Sequence, residues 1–272
     1  ELSGLTRVRS LTQDDCHVFA RPEQIEGEIN LMLDMIAEVY KTFGFNDFWV
    51  RISTHDPKNK DKYIGDPKIW KEAEATLGKL IQARGWKHEL GVGEAAFYGP
   101  KLDFIFKDVL GREWQLSTIQ LDMNLPERFA LEYLDEGGKP ARPVVIHRAI
   151  LGSTERFMGI IIEHFGGDFP LWLAPIQVAI LPVAEAHVEY AKKVMGDLKM
   201  AGLRGELKAD NLTLGKRIRE AEMQKIPYVL VVGAKEMEAG TVAVRSRKNG
   251  DLGTKKTSDL TEALKMEVRD KK

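Results

Sequence analysis

The sequence has a single cysteine, Cys16, among its 272 residues. That excludes an internal disulfide framework and fits a reducing compartment, so the cytosol is the expected location. It has no uninterrupted apolar run of about 18 residues, so no membrane span, and no membrane partner, is expected. No signal peptide is visible at its start. It has no surplus of either charge: 40 Lys and Arg stand against 41 Asp and Glu, for a formal net charge of −1. A nucleic-acid partner would therefore have to be met by local patches, not by a field over the whole molecule. Internal repeats and low-complexity segments are lacking too. What remains is 43% hydrophobic and 30% charged residues, enough for a packed core in one large domain or two ordinary ones. The chain opens on Glu1 and enters patterned sequence at once, which reads as a piece whose upstream part is missing.

The pattern up to about residue 174 is that of an α+β domain. Leu5 to Arg9 and Cys16 to Ala20 alternate as two strands. Pro22 suits the first turn of a helix, where its missing N–H costs nothing. Ile25, Ile29, Leu33, Ile36 and Tyr40 line one face of that helix, and Gly44 ends it. Phe48 to Ile52 reads as a strand, and the polar, Lys-rich stretch from Asp56 to Gly65 as a loop. Asp66 caps a helix that Pro67 opens, with Trp70, Ala73, Leu77 and Leu80 on one face and Gly85 as its stop. Strands follow at Leu102 to Phe106, Trp114 to Leu121 and Val144 to Arg148, and Asp135 to Pro140 is a surface turn cluster. A helix is expected over Ala149 to Phe165. Short turns between neighbouring strands suggest an antiparallel sheet with helices laid on it.

Beyond Pro175 the pattern changes to strand 178–183, helix 186–201, strand 203–209, helix 213–224, strands 228–232 and 241–247, and helix 259–269. Asp259 and Glu262 resemble a capping pair for the last of these. This is a small α/β domain with a mainly parallel sheet. The expected domains are 1–174 and 175–272.

Single motifs carry limited information. Gly91-Val-Gly93-Glu-Ala-Ala96 fits a dinucleotide fingerprint, but Gly99 and Pro100 prevent the helix that must follow, so a glycine-rich turn between sheet elements is expected. Thr213-Leu-Gly215-Lys216 lacks the Ser or Thr after Lys of a phosphate loop and reads as a helix start. Arg7 and Arg9 on one strand would present two guanidinium forks on the same face, suited to a polyphosphate; a solvated strand face is the plainer alternative. Asp15 and His17 share a strand face that Cys16 does not. They suit an ammonium group or a metal, or else a capped turn with a structural His. His147 ends an apolar strand, with Ser153, Glu155 and Arg156 just beyond it, and a satisfied core His is the alternative there.

Taken together, the segments Gly4 to His17, Phe97-Tyr-Gly-Pro-Lys101, Trp114 to Asp122 and His147 to Arg156 resemble threonyl-tRNA synthetases in order and spacing. The first resembles the end of class II motif 2 and the last motif 3, and the likeness runs along essentially the whole chain. It implies a class II catalytic domain followed by a tRNA anticodon-binding domain. The implied activity is formation of threonyl-adenylate from threonine and ATP, with Mg2+, and transfer of threonine to the 3′ end of tRNA(Thr). His17 and His147 would be two of three protein ligands of a Zn2+ ion that takes the amino and hydroxyl groups of threonine. Asp15 would pair with the substrate ammonium, and Tyr98 and Gln120 would line the pocket. Arg7 and Arg156 would hold ATP, Lys101 and Gln115 would approach the adenylate, and Ser153 would border the pocket. Asn211, Glu236 and Arg245 match positions that contact anticodon bases in the family.

The sequence departs from that family pattern in places. The third zinc ligand is a cysteine well upstream, motif 1 with much of the homodimer interface is absent, and so is the leading arginine of motif 2. No editing domain lies within these residues. Leu11 stands where a phenylalanine usually stacks on adenine, and Leu116-Ser117 where Cys-Gly or Cys-Ala is common. This stretch alone is expected to be inactive or nearly so, and to hold zinc weakly. The competing reading is a non-catalytic paralogue that binds RNA through the second domain. The set Arg7, Asp15, His17, Lys101, His147 and Arg156 argues for the enzyme, because a pure binder has no chemical need for all six.

Overall fold

Two amphipathic helices and a sheet build the first core. The computed structural model describes residues 2–272 (of residue 60, the backbone alone). Strand β1 (Cys16–Ala20) leads into α1 (Ile25–Phe43), then β2 (Phe48–Thr54), α2 (Pro67–Arg84), β3 (His88–Val92), β4 (Lys101–Lys107) and β5 (Glu113–Asp122). A one-turn helix α3 (Leu125–Arg128) and the small pair β6 (Tyr133–Leu134) and β7 (Pro140–Ala141) precede β8 (Val144–Ala149) and α4 (Thr154–Phe165). The helices end where glycines were read as stops, with Gly44 and Gly85 in the left-handed conformation. Asp66 caps α2 by accepting from the Lys68 N–H at 2.8 Å.

Ile29, Leu33, Ile36 and Tyr40 of α1 and Leu77, Leu80 and Ile81 of α2 pack on Ile52, Leu102, Phe104, Ile119, Leu121 and Ile146. Each such side chain, fully buried, contributes about 1.5–3 kcal/mol. The sheet has six strands in the order β1-β8-β5-β4-β2-β3. Five run as antiparallel neighbours, and β3 pairs with β2 in parallel through the α2 crossover. Strand period puts the residues between the core positions on the other face, away from α1 and α2. That face is polar.

Two expectations are corrected in this unit, and one strand was not expected. Leu5 to Arg9 is not a strand. Gly4, at φ +47°, turns the chain so that the Thr6 and Arg7 N–H groups both donate to the Ser3 carbonyl at 3.1 Å. With no strand, Arg7 and Arg9 lose the argument that they share a face. The helix expected from Ala149 begins at Thr154. The backbone N–H groups of Ile150, Leu151 and Gly152 donate instead to the Asp14 carboxylate, and Gly152 sits at φ +73°. Strand β3 was not anticipated, since Gly91 interrupts its pattern and Leu90 and Val92 are exposed.

The second unit has five strands in the order β10-β9-β11-β12-β13. Its elements are β9 (Val178–Pro182), α5 (Val188–Met200), β10 (Gly205–Leu207), α6 (Leu214–Met223), β11 (Tyr228–Val232), α7 (Ala234–Ala239), β12 (Thr241–Ser246), β13 (Gly250–Lys256) and α8 (Thr257–Arg269). β10, β9 and β11 are parallel, and β12 and β13 add an antiparallel edge. Val194, Leu198, Leu260 and Leu264 of α5 and α8 cover Val178, Ile180, Leu230 and Val244 on one face. Ile218 and Ala221 of α6 cover Ala179, Leu181 and Val229 on the other. β13 and α7 were not anticipated. The last helix starts at Thr257 with Lys256 at its cap, so Asp259 lies in the first turn and does not cap it.

The compact units divide between His164 and Phe165, upstream of the pattern change near 174. Residues 165–177 are held by the second unit. Leu171 belongs to its core, Gln177 donates to the Leu171 carbonyl at 2.8 Å, and Arg204 binds the Ala174 carbonyl at 2.9 Å.

Candidate functional site

The register of the first sheet assembles a site that no local motif encodes. His17 lies directly opposite His147, His147 opposite Gln120, Gln120 opposite Lys101, and Lys101 opposite Ser53. Directly opposed residues point to the same face, so these five side chains form one row across β1, β8, β5, β4 and β2. Two residues along each strand, Thr118, Asp103 and Arg51 form a second row on that face.

At one end, the His17 and His147 rings meet edge to face with centroids 4.6 Å apart. His147 shares a hydrogen bond of 2.9 Å between Nε2 and Asp122 Oδ2. Asp122 is wholly buried, and its other oxygen accepts from the Asn124 and Leu125 N–H groups at 3.0 and 2.9 Å. Asp15 approaches His17 Nε2 at 4.0 Å, and both side chains are about half exposed. The Tyr98 ring stands 5.4 Å from His147, and its hydroxyl donates to Gln120 Oε1 at 2.8 Å. Burial, and secondarily the charge of Asp122, pushes the Tyr98 pKa up, while the bond to Gln120 pulls it down by less. The phenol therefore stays a donor across the neutral range.

In the middle, Asp103 is wholly buried and gathers donors from three strands. Oδ2 accepts from Lys101 Nζ, from Arg51 Nη2 at 3.1 Å and from Ser53 Oγ at 2.8 Å. Oδ1 accepts from Gln115 Nε2 at 2.7 Å and Thr118 Oγ1 at 3.1 Å.

The segment before β1 is clamped to the loop after β8. Asp14 binds the three N–H groups already described, and Glu155 accepts from the Thr12 N–H at 3.0 Å. The Thr12 bond is the first cause of a depressed Glu155 pKa, and Ser153 Oγ adds a bond of 3.1 Å. Arg156 donates from Nε to the Thr6 carbonyl at 3.0 Å and from Nη1 to the Gln115 carbonyl at 3.4 Å. Its guanidinium also stacks 5.7 Å from the Trp114 ring centroid. Arg156 thus ties the turn that bears Arg7 to β5, and the Arg7 side chain itself is exposed.

The row therefore brings together His17, His147, Gln120 and Lys101, with Tyr98 and Gln115 bonded to its members and Asp15 at its edge. Ser153 and Arg156 lie on the clamped loop and the start of α4. Leu11 is exposed, whereas Leu116 and Ser117 are core residues. Ser117 bonds the Ile150 carbonyl and lies 3.0 Å from the Tyr40 hydroxyl. The sequence reading gives no site role to Asp103, Asp122, Asp14 or Arg51. The one signal was an Asp two residues from Lys101 inside the apolar run Leu102 to Phe106.

Two histidines aligned on one row, one of them oriented by a buried carboxylate, suit two positions of a metal's ligand set. Among the described residues no group of three or more His, Cys, Asp and Glu side chains is arranged to hold a metal ion. No described helix is long and apolar enough to cross a membrane.

In the second unit, Asn211 is exposed on the bend that enters α6. Glu236 lies in α7, and its Oε2 accepts from the Gly233 N–H at 2.9 Å. Both follow carboxyl ends of parallel strands. Arg245 sits on β12 opposite Val229, toward the other end of the sheet, and its Nη2 lies 3.6 Å from Glu222 at the end of α6.

Comparison with known proteins agrees with these two units. The tRNA synthetase class II core domain (G, H, P, S and T) matches residues 1–165, and the anticodon binding domain matches residues 177–267. A threonine–tRNA ligase of Thermus thermophilus is 51% identical over all of this chain, and one of Bacteroides fragilis 50% identical over 99% of it. The chain spans 41% and 42% of the length of these relatives. A structure of the RNA binding domain of threonyl-tRNA synthetase from Cryptosporidium parvum superposes with a TM-score of 0.91 at 39% identity, covering 97% of this chain and 66% of that one. A prolyl-tRNA synthetase from the same organism shares the fold alone, with a TM-score of 0.64 at 18% identity, over 99% of this chain and 51% of that one. The chain belongs to the class II tRNA synthetases of the G, H, P, S and T group, its core domain being followed by an anticodon-binding domain.

Proposed function

We propose that this chain is the catalytic and tRNA-reading part of a threonine–tRNA ligase, which activates threonine with ATP and Mg2+ and transfers it to the 3′ end of tRNA(Thr). The row His17–His147–Gln120–Lys101 carries this reading. It puts metal-type, hydroxyl-seeking and cationic groups in sequence along one sheet face, in the order that an amino acid joined to a phosphate would need. The residue identities of threonine–tRNA ligases over the whole chain support it as well.

Asp15, half exposed beside His17, would take the substrate ammonium. Tyr98 and Gln120, bonded to each other, would close the side of the pocket. His17 and His147 would hold a zinc ion with a third ligand that residues 1–272 do not include, and Asp122 would fix the His147 tautomer. Bound there, zinc would supply open positions for the amino and hydroxyl groups of threonine. A site that satisfies a hydroxyl rejects an isosteric methyl, because a buried polar group is then left unpaired. Lys101 and Gln115 would meet the adenylate as charge builds on the departing pyrophosphate. Arg7 and Arg156 would hold ATP, and Ser153 would border the pocket. Asn211, Glu236 and Arg245 would read anticodon bases, a mode that needs no large positive field. We assign the catalytic core to the first unit and the anticodon domain to the second, which takes in residues 165–174 as well as the expected 175–272, and a homodimer to the whole protein.

Threonine-dependent ATP–pyrophosphate exchange tests this, with zinc present, on the protein carried to its natural start. Exchange with threonine and little with valine is the expected result. Serine, which also offers a hydroxyl, is expected to give some. A folded, zinc-loaded protein that exchanges with no amino acid overturns the reading and leaves an RNA-binding paralogue.

A further inference from the structure

The carboxylate of Asp103 is buried among five donors although it stands in a strand whose neighbours, Leu102 and Phe104, are core residues. A charge in such a place is costly unless paired, and apolar packing often serves stability as well or better. Its partners are not random. Two of them, Lys101 and Gln115, are residues assigned above to the reacting end of the pocket.

We propose that Asp103 is a positioning residue for adenylate formation, acting through Lys101 and Gln115; this rests on the ligase reading. Each partner is set by a separate feature of the carboxylate. Lys101 has a flexible four-carbon stem and, at 14% side-chain exposure, pairs with Asp103 on its own strand face, its one ion-pair partner among the described residues. The ion pair removes the freedom of that stem. Gln115 could present either end of its amide. An ionised carboxylate only accepts, so Nε2 must face Asp103, and Oε1 is then left to accept from Arg51 Nη2 at 3.3 Å.

The distribution of donors also lets Lys101 leave. Oδ2 is shared by Lys101, Arg51 and Ser53, more donors than it needs. When the ammonium moves to an anionic ligand, Arg51 and Ser53 keep the oxygen satisfied. Arg51 is itself held between Asp103 and Glu94, whose carboxylate lies 4.0 Å from Nη1. Asp103 therefore holds Lys101 at the pocket without trapping it there.

The test uses the protein carried to its natural start, assayed by threonine-dependent ATP–pyrophosphate exchange. Asp103→Asn turns one acceptor into a donor facing other donors. The expected result is a fall in kcat of about a hundredfold, as misplacement of reacting groups produces. The KM for threonine, bound at the His17 end of the row, stays within about threefold, because that end keeps its contacts. In a Lys101→Met background the same substitution adds less than about threefold, because the two act as a unit. If Asp103→Asn does not fold, as judged by thermal melting, Asp103→Glu replaces it. That variant keeps the charge, moves it by one methylene, and is expected to show the same split. Wild-type kcat in either variant, a parallel rise in KM, or full additivity with Lys101→Met overturns the positioning role while leaving the ligase reading intact. A wild-type protein without exchange overturns the ligase reading, and the positioning role falls with it.

Discussion

His17 and His147 are direct partners across β1 and β8, and their rings lie 4.6 Å apart, edge to face. Residues 130 positions apart in the chain thus meet at one end of a sheet. The Asp122 carboxylate then engages one nitrogen of His147, leaving the other for a ligand. In the protein carried to its natural start, His17→Ala or His147→Ala is expected to abolish stoichiometric zinc, measured by metal analysis after dialysis. Asp122→Asn should weaken zinc affinity by about 10–100-fold, the usual cost of losing an orienting partner. Residues 1–272 alone should lose zinc to a chelator. Retention of one equivalent by that stretch contradicts the prediction.

The elements legible in the sequence are those whose signals are local. The helix faces of α1 and α2 follow from apolar spacing; Gly44 marks the end of α1, and Asp66 and Gly85 mark the two ends of α2. The misread segments are those whose bonds are made far away. Residues 150–152 look helical until Asp14, on another strand connection, takes their N–H groups. Leu5 to Arg9 alternates well enough for a strand, but Gly4 closes it into a turn. The site divides in the same way. Its histidines and Lys101 were legible because they sit in recognisable segments. Asp103 and Asp122 acquire their roles only from pairing between strands, which no window of sequence displays.

The clamp between Asp14 and the 150–152 loop makes a second prediction. A Cβ on Gly152 would lie 2.5 Å from the Leu116 carbonyl oxygen, and φ there is +73°. Backbone cannot yield as a side-chain tip can. Gly152→Ala is expected to destabilise the first unit by about 3 kcal/mol, from overpacking and left-handed strain together. Asp14→Ala should cost about 2–3 kcal/mol, since it strands N–H groups that the carboxylate satisfied. Denaturant titration measures both, and a change below about 0.5 kcal/mol, the range of ordinary surface substitutions, contradicts either.

Asp108 makes a pH prediction. Burial, the largest influence, raises its pKa, but bonds from Trp114, Arg112 and the Arg112 and Leu110 N–H groups together outweigh it, and the net direction is down. A carboxyl with a folded pKa below its unfolded value of about 3.9 stabilises the fold above that value. That contribution is lost as pH falls through the folded pKa. The stability gap between wild type and Asp108→Asn should hence be constant from pH 7 to 5 and shrink below about pH 4. A gap that widens on acidification contradicts this.

Arg245 separates recognition from stability. Its partner Glu222 is 3.6 Å away, and both side chains are about half exposed. Such a pair contributes at most about 1 kcal/mol, less in salt. Arg245→Ala should therefore leave the melting of the second unit nearly unchanged. Were Arg245 a reader of anticodon bases, its loss should weaken tRNA(Thr) binding by about 1–3 kcal/mol and reduce discrimination against an anticodon-substituted transcript. A uniform loss on both transcripts, with a smaller salt dependence, would mean that Arg245 meets phosphate instead. Unchanged binding of both removes Arg245 from the interface, and Asn211 and Glu236, at the carboxyl ends of the parallel strands, then become the residues to substitute.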